Sequence, residues 1–154
     1  MQIFIMRHGE AENRFTDDAS RCLTPQGVVE AGSSGAWLHN IVDHIDRVLV
    51  SPYVRAGQTL EAVKHKLPIE RTQVSTDVTP DGQVALFHDY LQVLLGEDKQ
   101  IQTLLIVSHM PFVSSLVDEL CGHYHSMLFA TAGIAQLEYD IESGRASLIR
   151  QYIP

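Results

Sequence analysis

Basic residues are scarce in this sequence. Across 154 residues, 11 Lys and Arg stand against 19 Asp and Glu, for a formal net charge of −8 and a pI near 5.3. A general binder of nucleic acid or of an anionic membrane needs a basic face, so neither partner is expected. Cysteine is nearly absent too: Cys22 and Cys121 are too few for a disulfide framework and fit a reducing compartment. Long apolar runs are missing. Ile3–Met6 is broken at Arg7 and Leu104–Val107 is equally short, so neither a signal-peptide core nor a membrane span is expected. The expected location is the cytoplasm. No repeat or linker-like stretch divides the chain, and its length suits one domain over residues 1–154. What remains is an ordinary globular composition, 45% apolar and 19% charged, with one surplus: eight His.

Short β-type runs alternate with helical patterns. Gln2–Met6, Asp46–Val50 and Thr103–Val107 read as strands, the last apolar throughout, as for a strand buried on both sheet faces. Thr24-Pro25 reads as an N-cap and first helical residue, opening a helix to about Leu38. A second helix is expected after Ser51-Pro52, a third from about Gln83 to Leu95, and a fourth from Pro111 to Cys121, stopped by Gly122. Ile134–Tyr139 and Ala146–Tyr152 read as a hairpin turning at Ser143-Gly144. Such alternation predicts a three-layer α/β/α domain whose sheet is mainly parallel with an antiparallel edge.

In open α/β sheets, ligands bind beyond the carboxyl ends of the strands. Three strand ends carry notable residues: Arg7-His8-Gly9, Ser51-Pro52 with Arg55, and Ser108-His109. Two Arg and two His should therefore meet, although 101 positions separate His8 from His109. Paired guanidiniums suit a phosphoryl group, with Arg7 and Arg55 as the candidates. Gly9 would let backbone approach the anion, and the helix near Pro111 would add its positive end. One neutral His can attack phosphorus and the other can hold its oxygens. Phosphoryl transfer depends mostly on positioning and charge, so no metal or cofactor is called for. The other six His read as loop or helix-surface residues; His123 and His125 lack a third ligand at zinc spacing. Asp17-Asp18, and Asp43 with Asp46, read as solvated faces, and Trp37 and Phe87 as core or rim packing.

Arg7-His8-Gly9 directly after a first strand resembles the signature of the histidine phosphatase superfamily, the phosphoglycerate mutase-like fold. Three further segments match in family order: Leu23-Thr24-Pro25-Gln26-Gly27, Ser51-Pro52-Tyr53-Val54-Arg55-Ala56-Gly57-Gln58-Thr59, and Val107-Ser108-His109-Met110-Pro111. The resemblance spans residues 1 to about 115 and implies that His8 is the nucleophile, with Arg7, Arg55 and His109 binding phosphate. Asn13 falls one position short of the family's usual Asn, and Glu10 receives no role.

The stretch from Arg55 to Leu104 is short, where mutases and broad phosphomonoesterases typically insert more, including a lid and an acidic residue. The chain is more similar to the short SixA-type branch, the protein-phosphohistidine phosphatases, a likeness that extends to Thr79-Pro80-Asp81-Gly82. A metal-independent phosphatase is expected, with a monomer as the default state. Its partner would be a phosphohistidine-containing protein, either a phosphotransfer (HPt) domain of a phosphorelay or a phosphotransferase-system carrier. Phosphohistidine releases an imidazole, whose conjugate acid has a pKa of about 6.5, so a missing acid is tolerable. Asp77 and Asp81 lie where larger relatives keep their acid. A phosphomonoesterase acting on small molecules or phospho-Ser/Thr is therefore one alternative. A non-catalytic phosphoprotein-binding module is the other.

Overall fold

The computed structural model describes residues 1–14 and 16–154. Six strands form one sheet: β1 (Gln2–Arg7), β2 (Ile45–Val50), β3 (Ile69–Val74), β4 (Thr103–Ser108), β5 (Ile134–Asp140) and β6 (Arg145–Tyr152). Their order across the sheet is β3-β2-β4-β1-β5-β6. β1, β2, β3 and β4 run parallel; β5 pairs antiparallel with β1, and β6 antiparallel with β5. Helices α1 (Pro25–His39) and α2 (Val54–Lys64) cover one face, α3 (Val84–Glu97) and α4 (Phe112–Cys121) the other.

The middles of β1 and β4, Ile3–Met6 and Leu104–Val107, are apolar without a break because strand side chains alternate between faces, and both faces are roofed. Ile3, Ile5, Leu104 and Ile106 join the α3/α4 core, while Phe4, Met6, Leu105 and Val107 join the α1/α2 core. All eight are fully buried; at about 1.5–3 kcal/mol each, they are a main source of the sheet's stability. Thr24 caps α1 by accepting from the Gly27 N–H at 3.0 Å, with Pro25 in the first turn. Gly122 ends α4 in the left-handed region, φ 74°, where a side chain would be strained. Gly144 turns the β5–β6 hairpin at φ 66°. Among the described residues, no helix is long and apolar enough to cross a membrane.

Three expectations fail. β3 (IERTQV) was not expected, because it is a polar edge strand with no fully buried residue and so no apolar alternation. Asp46 is not on a solvated face: it is 7% exposed and accepts from the Gln102 and Thr103 N–H groups at 2.8 Å each, tying β2 to the start of β4. His88 is not a surface residue. It is buried, with its ring nitrogens 3.0 Å from a Glu119 carboxylate oxygen and 2.9 Å from the Gly144 carbonyl, so it joins α3, α4 and the hairpin turn.

Candidate active site

The parallel strands deliver their carboxyl ends to one edge of the sheet, and the four expected residues lie there. His8 and His109 follow the neighbouring strands β1 and β4, and the His8 N–H donates to the Ser108 carbonyl at 3.0 Å. Their rings stand 5.1 Å apart, centroid to centroid. Arg55, in the first turn of α2, donates from Nε to His8 Nε2 at 3.2 Å. Arg7 ends β1 and is fixed through Nη1 to the Phe129 carbonyl at 2.7 Å.

One hydrogen bond determines the state of the first imidazole. His8 Nδ1 lies 2.7 Å from the carbonyl oxygen of Gly9. A carbonyl only accepts, so the proton sits on Nδ1 and Nε2 keeps its lone pair. Burial pushes the His8 pKa down to about 4, and the cationic Arg55, Arg7 and Arg21 push the same way against the opposing Gly9 bond. At neutral pH the ring is uncharged. His109 is pushed down to about 3, by burial first and then by His8 and the same guanidiniums. Its Nε2 pairs with Ser51 Oγ at 2.7 Å, whereas its buried Nδ1 has no hydrogen-bond partner among the described residues.

Several groups that position these residues were not anticipated. Asp18, expected on a solvated face, holds Arg55: its carbonyl accepts from Nη1 at 2.6 Å and its carboxylate from Nη2 at 3.0 Å. It belongs to a short 3₁₀ turn, Asp18–Ser20, capped by Asp17. Arg21 adds a third positive charge near both imidazoles. Tyr53 packs edge-on against His109 at 5.0 Å and lies 5.1 Å from the Arg55 guanidinium carbon. Thr59 accepts from the Gly9 N–H and donates to the Arg55 carbonyl, joining the β1 loop to α2. Ser51, Tyr53 and Thr59 stand inside a segment already singled out. Asp18 and Arg21 carried no local signal, since the partner of Asp18 lies 37 positions downstream.

Gly9 also makes a contact that was not expected. A Cβ there would stand 2.5 Å from the Gly27 carbonyl oxygen, so the glycine allows α1 to press against the β1 loop. Glu10 accepts from the Thr24 hydroxyl at 2.8 Å and so anchors the start of α1. Asp77 and Asp81 line a cleft with Thr76, Thr79, Gln83 and Phe87, and none of the four pocket residues lines it. The His123 and His125 rings touch at 4.4 Å. The one group of three metal-type ligands among the described residues lies elsewhere: His44, Asp46 and Glu70.

Fold and site together define the class: an α/β protein with a buried, uncharged imidazole beside two arginines at the carboxyl ends of its parallel strands. Residues 3–77 match the model of the histidine phosphatase superfamily (branch 1). Phosphohistidine phosphatase SixA of Escherichia coli is 41% identical over 155 residues, covering 100% of this chain and 94% of the relative. A SixA homolog of Haemophilus influenzae is 40% identical over 148 residues, covering 91% and 89%. Among solved structures, the protein histidine phosphatase SixA complexed with tungstate superposes with a TM-score of 0.92 at 41% identity, over 98% of this chain and 96% of that one. The chain belongs to the histidine phosphatase superfamily.

Proposed function

We propose that this protein is a protein-phosphohistidine phosphatase that works through a phosphohistidine intermediate on His8. The observation that carries the reading is the bond from His8 Nδ1 to the Gly9 carbonyl, which leaves the Nε2 lone pair beside Arg55 and His109. Nε2 attacks the phosphorus of a phosphorylated His on the partner, and the partner's P–N bond breaks. Protonated on its distal nitrogen, the partner's ring departs as neutral imidazole, so the enzyme need not supply an acid. The new adduct on His8 carries phosphorus on Nε2 and a proton on Nδ1, a cationic ring that is itself a good leaving group. Water then attacks phosphorus, the P–Nε2 bond breaks with its electron pair returning to Nε2, the water's protons go to the released phosphate and solvent, and His8 is again neutral with its proton on Nδ1.

Arg7, Arg55 and the Nδ1 side of His109 hold the phosphoryl oxygens, and the guanidiniums supply the positive charge a metal would otherwise provide. The SixA relatives support the substrate class, and tungstate, seen with one of them, is a tetrahedral oxyanion like phosphate. The partner is an HPt domain of a phosphorelay or a phosphotransferase-system carrier, met in the cytoplasm. One chain supplies all four residues, so the proposed reaction needs no second copy, and a monomer is the expected state.

The test offers the purified protein a phosphohistidine-labelled carrier and p-nitrophenyl phosphate side by side. The carrier should lose its label far faster, and an acid-labile, alkali-stable adduct should form on His8 and vanish in His8→Ala. Strong ester turnover abolished by Asp77→Asn or Asp81→Asn would establish the phosphomonoesterase instead.

A further inference from the structure

At the opposite end of the sheet from the pocket, the starts of β2 and β3 gather three ligand-type side chains. The register pairs Ile45 with Ile69 and Arg47 with Arg71, which sets Asp46 beside Glu70 on the same face. His44 precedes β2 by one residue. The donor atoms of His44, Asp46 and Glu70 all lie within 4.8 Å of one another. His44 Nε2 stands 2.9 Å from Asp46 Oδ1 and 3.6 Å from Glu70 Oε1. A tetrahedral ion with bonds of about 2.0–2.1 Å spaces its ligands about 3.3 Å apart, and the two distances straddle that value.

The central ligand is already braced. Asp46 Oδ2 accepts from the Gln102 N–H, the Thr103 N–H and the Thr103 hydroxyl at 2.8, 2.8 and 3.0 Å, leaving Oδ1 turned toward His44. Carboxylates that ligate metals are themselves held by hydrogen bonds in this way. Strand alternation turns Arg47 and Arg71 to the other face, where both approach Asp98. Among the described residues, neither Asp46 nor Glu70 pairs with Lys or Arg, and His44 is the cationic-type neighbour of both.

We propose that His44, Asp46 and Glu70 bind a divalent cation of the zinc type, with water as the fourth ligand. One imidazole and two carboxylates suit zinc better than magnesium or calcium, which take oxygen ligands. The ion would bolt β2 to β3 and, through Asp46, to β4. The site is independent of the catalytic reading.

The test is calorimetric titration of the metal-free full chain with ZnCl₂. One equivalent should bind, and the exposed-site variants Glu70→Gln and His44→Ala should each weaken binding about 10-fold or more. Zinc at a hundredfold excess over its dissociation constant should raise the thermal midpoint by on the order of 5–10 °C in the wild type and far less in the variants. His123→Ala should leave the isotherm intact. No zinc uptake by the wild type, an unchanged isotherm in both site variants, or loss of binding only in His123→Ala would each overturn the proposal.

Discussion

Arg55→Lys keeps the charge and removes the fork, and so isolates what the guanidinium geometry contributes. Arg55 is 4% exposed and uses all three nitrogens: Nε toward His8, Nη1 and Nη2 toward Asp18. A lysine offers one ammonium on a flexible stem and can replace only one prong on a phosphoryl group. A hydrogen bond to a charged group contributes about 1.5–3 kcal/mol, so losing one from the transition state should cost about 2–3 kcal/mol. At about 1.4 kcal/mol per decade this is a fall of about 30- to 150-fold in kcat/KM. Stability should fall as well, because Arg55 is buried and a lysine leaves part of its three-point pairing with His8 and Asp18 unmade, at about 1–3 kcal/mol or about 2–12 °C in Tm. Phosphate release from a phosphohistidine carrier gives the rate, and thermal melting gives the stability. A Lys variant within threefold of wild type would show that the fork does not hold the reacting group.

Arg55→Ala should cost about 10³-fold or more, whereas His123→Ala should change activity less than threefold; equal losses would misplace the site. Proton NMR titration should find His8 titrating near 4 and His109 near 3 rather than at the ordinary value of about 6.5. Their folded values lie below the unfolded ones, so they leave stability untouched above about pH 6.5. As pH falls below that, the unfolded chain takes up protons that the fold refuses, and His8 alone should remove on the order of 3 kcal/mol by pH 4. Urea midpoints measured across this range should fall, and fall less steeply in His8→Ala, where only the His109 part of the loss remains. Gly9→Ala should destabilise the fold by about 1–3 kcal/mol in urea, since its Cβ would meet backbone at 2.5 Å that no side-chain rotation relieves.

The central strands and all four helices were legible in the sequence because burial on two faces and on helical stripes writes an apolar pattern. β3 was not, because an edge strand of Ile, Glu, Arg, Thr, Gln and Val buries nothing fully. The four pocket residues were legible from their places at strand ends, where topology does the gathering. Asp18 was invisible for the opposite reason: its role comes from a loop folding back on Arg55, and no periodicity records that. Asp46 and His88 were misread because buried polar side chains look like surface ones until their partners are known. Asp46 takes its partners from the start of β4, and His88 from α4 and the hairpin.

The pairing of β1 with β4 has a kinetic side. His8 and His109 become neighbours only when two strands about 100 residues apart in sequence zip together, a contact of high order that forms slowly and late. A nascent chain that has reached β3 already carries Arg7, His8 and Arg55, yet it lacks both the strand that accepts the His8 N–H and the second imidazole. Outside the fold, His8 would titrate as an ordinary histidine. The paired imidazoles are thus a property of the finished sheet, and an unfinished or locally unravelled chain lacks the site that the proposed reaction needs.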